Sequence, residues 1–173
     1  MFCGTLILSG CATAPLPVNY APSSVKSATG SLSVADFRYL PSEPTAAKPI
    51  PPDVIKNTAL GQFKIDRDVR VFVRDAVFSE LRFVGLKTND SGKVLSGEIE
   101  EFLVDDLGFN VDWTLRIKYS LVDASSQAVT YQSEKITQRK TAKFVNAFGA
   151  LNETIKLNVE QLVDDADFTK AVK

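Results

Sequence analysis

The chain has 173 residues, a hydrophobic fraction of 45% and a formal net charge of −1, which suits one globular domain with some length to spare. The near-neutral charge argues against nucleic-acid binding, which depends on many lysine and arginine contacts to phosphate. The chain has no histidine, and its two cysteines, Cys3 and Cys11, lie within the first eleven residues. The rest of the chain therefore lacks the residues for a zinc site, a disulfide or a Ser-His-Asp triad. We expect a protein that is not an enzyme and that holds no metal and no cofactor.

The first ten residues, M-F-C-G-T-L-I-L-S-G, are apolar and uncharged. This stretch is too short to span a bilayer, which takes about 20 apolar residues, but small residues at its end are typical of a secretory cleavage site. Together with the next residue it ends in Leu8-Ser9-Gly10-Cys11, which resembles the bacterial lipobox. In that family of precursors the cysteine thiol receives a diacylglyceryl group, the signal peptide is cut off, and the new amino terminus is acylated.

This resemblance implies a truncated lipoprotein signal peptide over residues 1–10 and a lipid anchor at Cys11. Ala12 follows the cysteine, and the absence of Asp at that position implies sorting to the outer membrane, with the domain on its periplasmic face. The alternative is a chance apolar beginning on a cytoplasmic protein.

All eight prolines lie in the first 52 residues. Residues 11–29 are predicted to form the lipid anchor and a flexible tether, which as random coil would reach about 20–25 Å and let the domain float clear of the headgroups. Residues 30–173 are predicted to form a single domain that includes a Pro-rich excursion over 41–58.

Periodicity predicts the elements of this domain in chain order. The predicted strands are 31–40, 61–65, 94–104, 111–122 and 128–138. The predicted helices are an amphipathic segment from the N-cap Asp66 to Gly85 and a second from 146 to 165. The sequence therefore predicts an α+β fold, an antiparallel sheet of about 4–5 strands with two amphipathic helices packed on one face. Trp113, the only tryptophan, falls in the apolar register of its strand, which favours a core position over a ligand platform.

Two charged groups are candidates for a functional site. The densest carboxylates are Glu98, Glu100, Glu101, Asp105, Asp106 and Asp112. They suit an acid/base pair or a hard-cation site in type, but cross-strand pairing of the glutamates with Arg116 and Lys118 on a solvated face explains them better. The basic residues Lys135, Arg139, Lys140 and Lys143 form a candidate interaction surface for anionic headgroups or a polyanionic partner, with a solvated strand end as the alternative. The Pro-rich excursion is either an extended recognition strip or a plain loop.

The order of lipobox, early strand, amphipathic helix, three-strand meander and final helix resembles the YajG-like family of small bacterial lipoproteins. The matching segments are 8–11, 69–86, 96–104, 113–122 and 146–165. The resemblance implies a fold and a location, and it carries over no activity and no functional residue.

We therefore predict a non-catalytic, lipid-anchored envelope protein that binds another envelope protein or acts in envelope assembly. The alternative is an auxiliary or carrier lipoprotein of a lipid or small-molecule transport system, and a carrier needs an apolar cavity between the helices and the sheet. A third hypothesis is an envelope hydrolase that uses Glu98 or Asp112.

Overall fold

The computed structural model describes residues 14–59, 61–143 and 146–173, and Cys11 with its lipobox lies outside them. Within these residues the chain forms a mixed sheet of seven strands and three α-helices. The strands are β1 (Ser33–Val34), β2 (Arg38–Tyr39), β3 (Val54–Asn57), β4 (Gly61–Lys64), β5 (Lys93–Asp105), β6 (Asn110–Asp123) and β7 (Val129–Ala142). The helices are α1 (Val69–Phe83), α2 (Ala147–Val163) and α3 (Ala166–Ala171).

The sheet has the order β4-β3-β5-β6-β7, in which β5, β6 and β7 form a long antiparallel meander. Three short strands lie one after another along the other edge of β5. These strands, β1, β2 and β3, all run parallel to β5. The α+β class is confirmed, but the prediction of a purely antiparallel sheet with fewer strands and only two helices is wrong.

Local sequence explains these differences. The predicted strand over 31–40 is two pieces of two residues each, separated by Ala35–Phe37. The last part of the Pro-rich excursion, Val54–Asn57, contains no proline, so its amides can pair with β4 and β5. The additional helix α3 begins at Asp165, whose side chain accepts hydrogen bonds from the amides of Asp167 and Phe168 as an N-cap.

The core lies between the sheet and the two long helices. Alternation along β6 buries Trp113, Leu115, Ile117 and Tyr119 on the side of the helices, each no more than 3% exposed. The core position of Trp113 is thereby confirmed, and its indole N–H donates to Thr141 Oγ1 at 3.1 Å. Within the described residues, no helix combines the length and the apolar character needed to cross a membrane.

The described part of the predicted tether, residues 14–29, packs along the domain, which corrects the expectation of a flexible linker. Val18 is 3% exposed, and the Ala28 amide donates to the Val84 carbonyl at 2.8 Å. Tyr20 donates through its hydroxyl to the Glu80 carboxylate at 2.5 Å. Composition rich in proline, serine and alanine suggested flexibility, but these contacts lie far apart in the chain and give no local signal.

Candidate functional site

A groove separates the Pro-rich segment 41–53 from the sheet face that points away from the helices. Its cavity volume is about 910 Å³. The lining residues, which define the Pro-rich groove, are Tyr39, Pro41, Ala46, Ala47, Lys48, Ile50, Lys56, Gly61, Gln62, Glu100, Glu101, Phe102, Leu103 and Arg116. This volume is in the range of ligand and peptide sites in proteins.

The outer wall of the groove is an ordered loop. A short 3₁₀ turn at Leu40–Ser42 begins it, and the Ile50 amide donates to the Pro41 carbonyl at 3.0 Å, which closes it. Arg38 joins the loop to β5. Its guanidinium donates to both carboxylate oxygens of Glu43, at 2.8 and 2.6 Å, and to Glu98 at 2.6 Å. This bidentate geometry ties the loop to β5.

The floor of the groove is set by an irregularity in β5. The pairing register with β6 shifts between Ile99 and Glu101, so that Glu100 and Glu101 both reach the groove. Arg116 lies beside them, with its Nε 3.7 Å from a Glu101 oxygen. Burial raises the pKa of the Glu100 carboxyl, and a hydrogen bond with the carboxyl of Glu134 raises it further.

Positive charge and apolar surface complete the lining. Lys48 and Lys56 are exposed, and within the described part of the chain neither forms an ion pair. Pro41, Ile50 and Leu103 supply apolar surface between the charges. The groove thus combines carboxylates on its floor, exposed ammonium groups at its rim and apolar surface between them.

Within the described residues, three of the six carboxylates singled out in the sequence, Glu98, Glu101 and Asp112, form ion pairs. The strand register places Glu98 opposite Lys118 on the face away from the helices, as predicted. The prediction that Glu100 pairs in the same way is wrong, because the register shift after Ile99 places Glu101 opposite Arg116 instead. Glu98 also binds Arg38, and Asp112 lies 3.6 Å from Lys140.

The four residues of the predicted basic surface are not brought together on one face. Lys135 and Arg139 lie on the helix side of β7, where Lys135 contacts Asp165 at 2.5 Å and Arg139 contacts Glu153 at 2.7 Å. Lys140 lies on the opposite face and contacts Asp112. Lys143 donates to the backbone carbonyls of residues 106 and 108. An interaction role for these four residues stays a prediction, and Lys135 and Arg139 are already neutralised by their partners.

Sequence reasoning missed a buried carboxylate on α1, at Glu80. Its side chain is 0% exposed and accepts from the Ser24 amide at 2.6 Å, the Ser23 amide at 3.2 Å and the Tyr20 hydroxyl. The helical periodicity could have indicated the burial of Glu80, because position 80 lies three residues after Val77 and four after Ala76 and so falls on the apolar stripe.

Comparison with known proteins reveals the fold only. No protein-family model and no curated protein matches the chain. Protein XCC0632 from Xanthomonas campestris, of family-model DUF330, is similar with a TM-score of 0.65 at 14% identity, over 91% of this chain and 96% of that one. Hypothetical protein CT253 from Chlamydia trachomatis has a TM-score of 0.57 at 11% identity, over 83% and 99%. A minor lipoprotein from Acinetobacter baumannii, at 10% identity over 82% and 94%, has a TM-score of 0.44, too low to support an argument.

Proposed function

We propose that this chain is a non-catalytic lipoprotein, anchored through Cys11 at the periplasmic face of the outer membrane, whose domain binds another envelope protein in the Pro-rich groove. The lipobox-like sequence Leu8–Cys11 supports the anchor. The groove, closed by a loop that Arg38 holds in place, is the observation that carries the binding role.

The groove favours an extended polypeptide as its partner. Its rim offers two ammonium groups without intramolecular ion pairs, Lys48 and Lys56, and its floor offers the carboxylates of Glu100 and Glu101. A segment that places acidic side chains at the rim, basic side chains over the floor and apolar side chains against Ile50 would complement all three surfaces. Because the loop is already ordered, binding loses little conformational entropy there.

A carrier for acyl chains is a poorer match to the core. Space between the helices and the sheet is filled by side chains such as Val77, Leu95, Ile117 and Ile155, all 0% exposed. An auxiliary subunit of a transport system that binds its partner protein would use the same groove.

Site-specific photo-crosslinking in living cells tests the binding role. A photoreactive amino acid at Ala47, which lines the groove and is exposed, is expected to capture one discrete envelope protein. The matched control is Ser126, exposed in the turn between β6 and β7, where we expect no such product.

Charge reversal at the rim of the groove distinguishes specific binding there from crosslinking by random collision. The double variant Lys48→Glu and Lys56→Glu is expected to abolish the product formed from position 47 while the amount of folded protein stays unchanged, because both side chains are exposed and unpaired. An absent product at position 47, or one that survives charge reversal, contradicts groove binding. A lipid that co-purifies with the wild-type domain in native mass spectrometry would favour the carrier instead.

A further inference from the structure

Apolar side chains are exposed at one end of the domain. In the loop between β5 and β6, Leu107 is 72% exposed and Phe109 is 98% exposed. Phe148, 36% exposed, lies at the same end, because α2 begins beside the end of β7. Exposed single hydrophobic residues are ordinary, but a bulky pair on a loop of four residues marks a surface that contacts something apolar. We call residues 106–109 the apolar tip.

Hydrogen bonds hold the apolar tip in place. The Lys143 ammonium donates to the carbonyls of Asp106 and Gly108, at 3.1 and 3.4 Å. Thr58, in the turn between β3 and β4, donates to Asp105 at 2.6 Å and accepts from the Asp106 amide at 3.1 Å. These bonds tie the backbone of the tip to β3–β4 and to the end of β7, while its two apolar side chains remain largely exposed within the described residues.

The segment that leads back to Cys11 points toward this end. Leu16 pairs with Ile65 in parallel orientation, so residues 14–16 run in the same direction as β4. Strand β4 starts at Gly61, level with Asn57 and Val104 beside the apolar tip, and runs away from it. From residue 16 back to residue 14 the chain therefore approaches the tip.

The length of chain limits how far the domain can stand from its anchor. Cys11 lies five positions before Leu16 in the sequence, a stretch that spans at most about 17 Å in any conformation. Gly61 lies four positions before Ile65, which as strand spans about 13 Å. Cys11 can therefore pass the level of Gly61 by only about 4 Å, while the apolar tip itself lies beyond that level.

From this juxtaposition we propose that Leu107 and Phe109 insert into the lipid surface that holds Cys11, so that the domain rests on the membrane by this end. The inference rests on the proposed lipidation. Three carboxylates at this end, Asp105, Asp106 and Asp112, lie beside two ammonium groups, Lys140 and Lys143, so there is no excess of positive charge. Apolar burial rather than attraction to anionic lipid therefore holds the end there.

The test uses the full chain, processed in cells and reconstituted in vesicles of phosphatidylethanolamine and phosphatidylglycerol. After cleavage before Cys11 the mature chain has no other cysteine, so a single thiol can be introduced by Phe109→Cys and labelled with an environment-sensitive fluorophore. The matched control is Val129→Cys, because Val129 is 57% exposed at the start of β7, the opposite end of the sheet. Both sites are exposed, so neither substitution disturbs the core.

We expect a blue shift and a loss of emission with nitroxide-bearing lipids for the label at 109, and neither effect for the label at 129. Intact mass of the same sample reports the lipid on Cys11. A lipidated chain whose two labels respond alike overturns the membrane contact and leaves the lipoprotein assignment intact. A chain without lipid overturns both. Shielding of the label at 109 by added envelope protein and not by lipid assigns this end to a protein partner and also overturns the inference.

Discussion

Replacing Tyr20 with phenylalanine tests how residues 14–29 are held against the domain. The Tyr20 hydroxyl donates to Glu80 at 2.5 Å, and Glu80 is fully buried. Burial raises the pKa of Tyr20, and its hydrogen bond to Glu80 raises it further, so the hydroxyl remains a protonated donor at any assay pH. The substitution keeps the ring and removes only the donor.

The magnitude follows from the loss of one hydrogen bond to a charged acceptor, which contributes about 1.5–3 kcal/mol. If the segment opens locally, without global unfolding, that loss raises its open population about 10- to 150-fold, since each 1.4 kcal/mol is a factor of ten. The amides of Ser23 and Ser24 still contact Glu80, so the segment is expected to loosen rather than detach.

Hydrogen–deuterium exchange read by mass spectrometry measures this opening. The amides of Leu16 and Ala28, which donate to the carbonyls of Lys64 and Val84, are expected to exchange faster in the Tyr20→Phe variant. The matched control is Tyr131→Phe, which removes a hydroxyl donor to Asp165 at 2.8 Å elsewhere in the domain and should leave residues 14–29 unchanged. Exchange in Tyr20→Phe equal to wild type, or equal acceleration by the control, refutes the role of Glu80.

Three further predictions concern the free energy of unfolding, measured by urea titration. Gly30→Ala should lower this free energy by about 1–3 kcal/mol, because φ is +143° at Gly30 and a Cβ would lie 2.6 Å from the Val172 carbonyl oxygen. The control Gly149→Ala, whose Cβ would lie 3.9 Å from the nearest atom, should raise it. Equal effects of the two substitutions would contradict the prediction. Burial raises the pKa of Asp165, but hydrogen bonds from a lysine, a tyrosine and two amides outweigh burial and lower it to about 2, below the ordinary 3.8. Its carboxylate therefore stabilises the fold above pH 4 by about 1–2 kcal/mol, and this contribution is lost as the pH falls toward 2. Asp165→Asn should flatten the dependence of the unfolding free energy on pH between 4 and 2. An unchanged dependence would contradict the role of Asp165. Burial and a neighbouring carboxyl raise the folded pKa of Glu100, so the protonated side chain favours the folded state and this stabilisation is lost as the pH rises. Glutamine resembles the protonated carboxyl, so Glu100→Gln should stabilise the protein at pH 7 and have little effect at pH 4. A variant no more stable than wild type at pH 7 would contradict that assignment.

The parts of the fold that could be predicted from the sequence are those with long, regular patterns. Alternation from 111 to 122 placed Trp113 and Ile117 in the core, and the stripe that begins at Val69 marked α1. The same alternation put Glu98 and Arg116 on the face away from the helices, where part of the Pro-rich groove lies.

What could not be predicted depends on contacts between distant residues. Strands β1 and β2 have two residues each, too few for any periodicity, and they exist because the edge of β5 is open to them. The groove depends on Arg38, which binds both Glu43 and Glu98, and Glu98 lies 60 positions after Arg38 in the sequence. The role proposed for the apolar tip has no signal in the sequence, because it depends on residues 14–16 running alongside β4.

Intact mass spectrometry of the protein expressed from its native upstream sequence, beside a Cys11→Ser control, shows whether the chain is a lipoprotein. We expect a mass that fits cleavage before Cys11 with a diacylglyceryl group and an amide-linked acyl chain, and the absence of that product in the control. An unprocessed chain without lipid would refute the lipid anchor, and the same domain would then have to be considered as that of a cytoplasmic protein.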